Sequence, residues 1–299
     1  MDGNLKALVA QELAMPVDAR ATSMAAALAA RYPRVARAVL FYGSCLREKQ
    51  LDGLMLDFYL IVSDYPAAYG KSWLARANRL IPPNVFPFEH DGLIAKYAVL
   101  SEADFARLSG MEADTVSVWA RFAQPSRLLW VADARAQAAT VEAVAGAVPT
   151  LLALAAPVRQ ALGDDNIWEC GFALTYKAEL RAERTGRSNS IVGTDPARYH
   201  RFLAAAIADG RFDPAQYYDA RQVAHNATQW RTLQRWGKWL TVARLAKASF
   251  TFAGGIDYLA WKINRHAGTT ITIRSWQRRW PLIGAITLLP RLFAAGAIR

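Results

Sequence analysis

Hydrophobic and polar positions in the first third of the chain alternate between two periods. "TSMAAALAARYP" (22–33) carries the spacing of a helix, and "VARAVLFYG" (35–43) is a short apolar run of the kind that forms a buried strand. "MLDFYLIVS" (55–63) and "LIAKYAVLS" (93–101) predict two further strands, separated by a Pro-rich turn region around "IPPNVFPFEHDG" (81–92). From about 132 to 226 the pattern is mostly helical, and "AAPVRQALGDDNIWECGFALTYKAELRAERTG" is its most polar-rich stretch. The expected fold class is therefore α+β, a mixed domain followed by a mostly helical one. The expected boundaries are 1–135, 136–240 and a basic amphipathic segment over 241–299.

Two apolar stretches invite comparison with a membrane span. "AVAGAVPTLLALAAPV" (143–158) has 16 residues, short of the roughly 20 a spanning helix needs, so a core helix is expected there. The tail "WPLIGAITLLPRLFAAGAI" (280–298) is interrupted by Pro290 and Arg291. Its Leu282, Ile286, Leu289 and Phe293 share one face at helical spacing. An interfacial helix lying in the headgroup layer is the expectation for it.

Charge changes this picture by its location. The net charge is +11, yet residues 227–299 hold twelve Lys or Arg against one acid, Asp257. The same segment holds six of the ten Trp. Trp interleaved with cations suits a membrane interface with anionic headgroups, and nucleic acid is the rival partner. Cys45 and Cys170 are too few for a disulfide framework, and the N-terminal stretch lacks an apolar signal core, so a cytoplasmic-side location is expected. His90, His200, His225 and His266 have no zinc-ligand spacing.

The chemistry concentrates in "FYGSCLREKQLDGLMLDFYLIV" (41–62). Nucleotidyl transfer needs donors that hold a triphosphate and carboxylates that fix Mg²⁺ for in-line displacement. Gly43 and Ser44 supply the first, since Gly admits phosphate close to the backbone and Ser adds a hydroxyl. Asp57, embedded among Leu56, Phe58 and Leu60, supplies the second, because an ionised carboxylate there is costly without a cation or donors. A polymerase-β-like nucleotidyltransferase strand reads Asp-x-Asp, whereas here the second place is Tyr59. Asp52 is a candidate helper, with a role in the "DG" turn as the alternative. Lys96, an amine in an apolar strand, calls for an anion such as phosphate.

Taken with that motif, the chain resembles the mitochondrial-type phosphatidate cytidylyltransferases of the translocator assembly and maintenance family. The likeness runs collinearly through "IAKYAVLS" (94–101), "WARFAQPSRLLW" (119–130, similar to a helix end), "TYKAELRAE" (175–183) and "AKASFTFAGGIDYLAWKINR" (246–265). Departures are Ala98 for a Gly, the stretch Gln124–Arg127 for a Gly-Arg pair, and Glu179 for an Asp. The resemblance implies a polymerase-β-like nucleotidyltransferase fold, CTP and phosphatidate as substrates, Mg²⁺ as cofactor, and a peripheral membrane setting without nucleic acid. It also implies roles for Glu179 as a second metal ligand and for Tyr176, Arg181, Arg127, Lys247 and Lys262 toward nucleotide or lipid phosphate. A scaffold without catalysis, serving as a membrane or nucleic-acid binding module, is the alternative that Tyr59 favours, and a nucleotidyltransferase acting on another acceptor is a further one.

Overall fold

The three apolar runs that predict strands form the centre of a sheet. The computed structural model describes residues 4–48, 50–162, 166–178, 187–217, 220–251 and 272–279. In chain order, α1 (Leu5–Leu13) and α2 (Ala19–Ala30) precede β1 (Ala36–Tyr42), α3 (Ser44–Glu48) and β2 (Met55–Val62). Then follow α4 (Tyr65–Ala68), α5 (Ser72–Leu80), β3 (Asn84–His90), β4 (Leu93–Ser101), α6 (Glu102–Ser109), α7 (Trp119–Phe122) and β5 (Ser126–Val131). The helical part comprises α8 (Ala134–Leu162), α9 (Ile167–Ala178), α10 (Arg187–Thr194), α11 (Pro196–Ala208) and α12 (Ala220–Thr251), with a short turn of helix at Ser275–Arg279. The architecture is a mixed α/β region with a five-stranded sheet, then a largely helical region.

The sheet order is β3-β4-β2-β1-β5, with β2 and β4 parallel and the other neighbours antiparallel. Two of these strands differ from the sequence expectation. The Pro-rich turn region contains β3, and the stretch expected to end a helix is helical only over Trp119–Phe122 before β5 begins. Both are edge strands, and an edge is where a strand tolerates Pro87, because the missing N–H faces away from the ladder.

The central strands are apolar on both faces because both are covered. On one face Val39, Phe41, Phe58, Leu60 and Val99 meet Met24 and Leu28 of α2. On the other, Leu40, Tyr59, Ile61 and Leu100 join one continuous cluster that reaches Phe172 on α9, Tyr199 on α11 and Trp230 on α12. The 16-residue apolar run lies inside a longer helix, the 29-residue α8, whose Val148, Leu151 and Leu152 are buried in that cluster. By length and composition Ala134–Arg159 meets the test for a membrane span, a test that core helices also pass, and 67% of its most apolar window is buried within the fold. Gly237 lets α12 cross α9 closely, since a Cβ there would run into the carbonyl oxygen of Ala178.

A buried ion pair ties the N-terminal helix to the helical region. Arg198 on α11 pairs with Glu12 on α1, donating from Nη2 to Oε1 at 2.9 Å and from Nη1 to the Ala123 carbonyl at 3.0 Å. Its guanidinium also lies 4.2 Å from the centre of the Phe202 ring. Removing one partner of such a pair leaves an uncompensated charge, so Glu12→Ala is expected to lower unfolding free energy by about 3–5 kcal/mol, read from urea denaturation.

Candidate functional site

The site begins where β1 ends. Gly43 has φ +96°, in the left-handed region that favours glycine, and turns the chain from Tyr42 into α3. Any side chain at this position would also collide with β2: a Cβ would stand 2.9 Å from Asp57 Oδ2. The Gly-Ser turn and the strand carboxylate are therefore packed against each other. Ser44 opens α3 and is half-buried.

Asp57 sits in register with Tyr42 on β1 and with Lys96 on β4. Strand alternation puts it on the same face as Tyr59. Lys96 Nζ lies 2.9 Å from Asp57 Oδ1, and both side chains are largely buried, at 26% and 19% exposure. Tyr59 fills the position of a second strand acid with an aromatic ring, packed 5.2 Å from Tyr42 and 5.2 Å from Phe122. Burial, reinforced by the charge of Asp57, holds the Tyr42 hydroxyl well above its ordinary pKa. The same two causes push the Cys45 thiol up to about 11, which disqualifies it as a nucleophile at neutral pH.

Beyond Asp57 lies a cleft of about 610 Å³, part of it open to solvent, lined by Tyr42, Tyr59, Lys96, Arg121, Arg244 and Lys247. Four of the eleven described residues that line it are basic and none is acidic. With Asp57 opposed by Lys96, the described residues of the cleft carry an excess of positive charge, suited to a polyanion. Arg121 on α7 is held by the Ser117 carbonyl. The two α12 cations grip the loop between α5 and β3: Arg244 Nε donates to the Pro82 carbonyl at 2.8 Å, and Lys247 Nζ donates to the carbonyls of Pro83, at 2.8 Å, and Ile81. Burial first, and then the neighbouring Arg244, bring the Lys247 pKa down to about 7.

The structure thus brings Gly43, Ser44, Asp57 and Lys96 to one place, and Lys247 to the same cleft from the far end of α12. Arg127 lies elsewhere. On the edge strand β5 it stands opposite Phe41 of β1, donates from Nη1 to the Ser126 carbonyl, and feels the charges of Glu12 and Arg198. Asp52 is exposed and bound to Arg20 at 2.7 Å, on the helix that covers the opposite sheet face from Tyr59. Arg20 also pairs with Asp18, so the Asp52 carboxylate belongs to a surface ion-pair network. Tyr176 is half-buried on α9 against the core. Glu179, Arg181 and Lys262 lie outside the described residues. Arg121 and Arg244 complete the cleft without having been singled out in the sequence. Their signal was faint: Arg244 precedes Lys247 by three positions, which places both on neighbouring parts of one helix face.

For Mg²⁺, the described residues include no cluster of three or more His, Cys, Asp or Glu. Mg²⁺ is commonly held by one or two carboxylates together with substrate phosphates. Asp57 fits that mode: Lys96 engages Oδ1, while Oδ2 faces the Gly43 turn. No protein-family model matches this sequence, and no curated protein matches it either.

Lys247 gives the site a pH signature. In the unfolded chain its pKa is the ordinary 10.5, and in the fold about 7. Between those values the unfolded state binds more protons, so this residue makes stability rise with pH. Below about 7 its full penalty is present. Urea denaturation across the window is expected to show the rise in the wild type and a flatter profile in Lys247→Met.

Proposed function

We propose that this chain is a nucleotidyltransferase of polymerase-β-like type that transfers CMP from CTP to phosphatidate. A phosphate oxygen of the lipid attacks the α-phosphorus of CTP. The bond to the bridging β-phosphate oxygen breaks, giving CDP-diacylglycerol and pyrophosphate. The observation that carries the reading is the contact of the Gly43 turn with Asp57 at the edge of a cationic cleft. A glycine turn closing one strand, beside an acid on its antiparallel neighbour, offers both phosphate donors and a metal-holding carboxylate, the two things such transfer needs. The choice of CTP and phosphatidate comes from the resemblance described above.

In this reading Gly43 and Ser44 hold the leaving phosphates, and Lys96 and Arg121 balance the charge of the triphosphate. Arg244 and Lys247 receive the acceptor phosphate, whose negative charge returns the proton to Lys247. Mg²⁺, when bound with Asp57 as its protein ligand and Glu179 as the sequence candidate for a second, supplies further neutralisation of the transferring group. The enzyme works as a peripheral protein at the cytoplasmic face of an anionic membrane, without nucleic acid.

One observation favours a second reading. Lys96 already neutralises Asp57, as in a phosphate-binding scaffold without catalysis. Calorimetric titration of CTP with and without Mg²⁺, together with a turnover assay, distinguishes the two. The enzyme is expected to bind CTP in a Mg²⁺-dependent way, and Asp57→Asn to abolish turnover while circular dichroism stays unchanged. A scaffold binds CTP equally well without Mg²⁺ and is indifferent to Asp57→Asn.

A further inference from the structure

Two helices, α12 that lines the cleft and α5 that precedes the loop at Pro83, expose large apolar side chains among cations. On α12, Trp236 and Trp239 are 61% and 73% exposed, while Asn226, Trp230 and Leu233 bury the opposite side. Arg231, Arg235 and Lys238 share the exposed arc with the two Trp, and no Asp or Glu occurs anywhere in the helix. On α5, Leu80 is 78% and Trp73 42% exposed, and Asn78 is the buried position. Trp73, Arg76 and Leu80 follow one another at i, i+3 and i+7, so they share one arc. Lys71 and Arg79 add exposed cations, again without an acid in the helix.

The helices are joined beside the cleft, whose lining includes Pro83, Arg244 and Lys247. Leu80 ends α5, the next residues are Ile81–Pro83, and that loop is what Arg244 and Lys247 grip from α12. Exposed indoles cost free energy in water but are at home at headgroup depth, where the ring meets the acyl boundary and neighbouring cations meet phosphate. Leu80, aliphatic and almost fully exposed, extends this pattern beyond what stacking on bases would use.

We propose that α5 and α12 together form a docking face for an anionic lipid bilayer, with Trp73, Leu80, Trp236 and Trp239 as its anchors. Charge complementarity selects the occupant: the exposed arcs carry Arg76, Arg79, Arg231, Arg235 and Lys238 and no opposing acid. The face seats the cleft mouth against headgroups, so a lipid phosphate reaches Arg244 and Lys247 without the lipid leaving the membrane. This deepens the function proposed above and rests on it only for the lipid's fate; bilayer binding itself needs no nucleotide.

Flotation of the full chain tests this with vesicles of phosphatidylcholine alone and of phosphatidylcholine mixed with phosphatidylglycerol, neither containing phosphatidate. The wild type is expected to float with the mixed vesicles only. Trp236→Ala with Trp239→Ala, and separately Trp73→Ala with Leu80→Ala, are expected to weaken that binding by about tenfold each. Arg235→Gln with Lys238→Gln is expected to weaken it by about fivefold per charge. Turnover of a water-soluble short-chain phosphatidate is expected to stay at the wild-type rate in all three variants, which separates docking from the chemistry of the cleft. Wild-type flotation by the variants overturns the proposal. So does failure of the intact chain to float while it binds a single-stranded RNA oligonucleotide through the same residues.

Discussion

The ion pair between Asp57 and Lys96 governs how the sheet can host a charge and how the cleft presents itself. The pair follows from register: β2 and β4 run parallel, and Asp57 falls opposite Lys96. A carboxylate 19% exposed would be costly alone, and a lysine amine beside Tyr59 and Ala98 would be costly too. Together they are tolerated, and the carboxylate is held against the Gly43 turn. The same pairing balances Asp57, which leaves Arg121, Arg244 and Lys247 as the other charged groups among the described residues of the cleft. A phosphorylated substrate meets, among the described residues, one acid already balanced by Lys96 and three further cations.

How far the sequence could reveal this depends on the range of the interaction. β1, β2 and β4 were legible because strands covered on both faces must be continuously apolar, and helix α2 because Met24 and Leu28 repeat at helical spacing. β3 and β5 were not: the prolines of 81–92 read as turn signals, the stretch 119–130 read as similar to a helix end, and the edge position that accommodates Pro87 exists only once the sheet is assembled. Gly43, Ser44 and Asp57 were legible because they lie within one short stretch. Tyr59 read as half of a missing metal site, whereas its ring fills a space bounded by Tyr42 and Phe122. Asp52 illustrates the reverse: its attraction to Arg20, 32 positions away, depends on α2 lying over the sheet. Arg244 meets a loop 162 positions earlier, a separation no local pattern can encode.

The helical region shapes the site as much as the sheet does. α8 and α9 complete the core behind Tyr59, and the close crossing at Gly237 fixes α12 against α9. From there α12 delivers two cations inward to the loop after α5 and turns two indoles outward. One helix therefore serves both the cleft and the molecular surface. The low pKa of Lys247 belongs to the same arrangement, because an amine desolvated beside Arg244 gains most when an anion arrives.

The central claim is that the Gly43–Asp57 corner, facing this cationic cleft, moves a nucleotidyl group onto a lipid phosphate. It is tested most directly by incubating the protein with Mg²⁺, phosphatidate and each of the four ribonucleoside triphosphates in turn, and reading the products by mass spectrometry. The account predicts CDP-diacylglycerol and pyrophosphate with CTP, and little or no nucleotidyl lipid with the other three. Recovery of all four triphosphates and phosphatidate unchanged would contradict it.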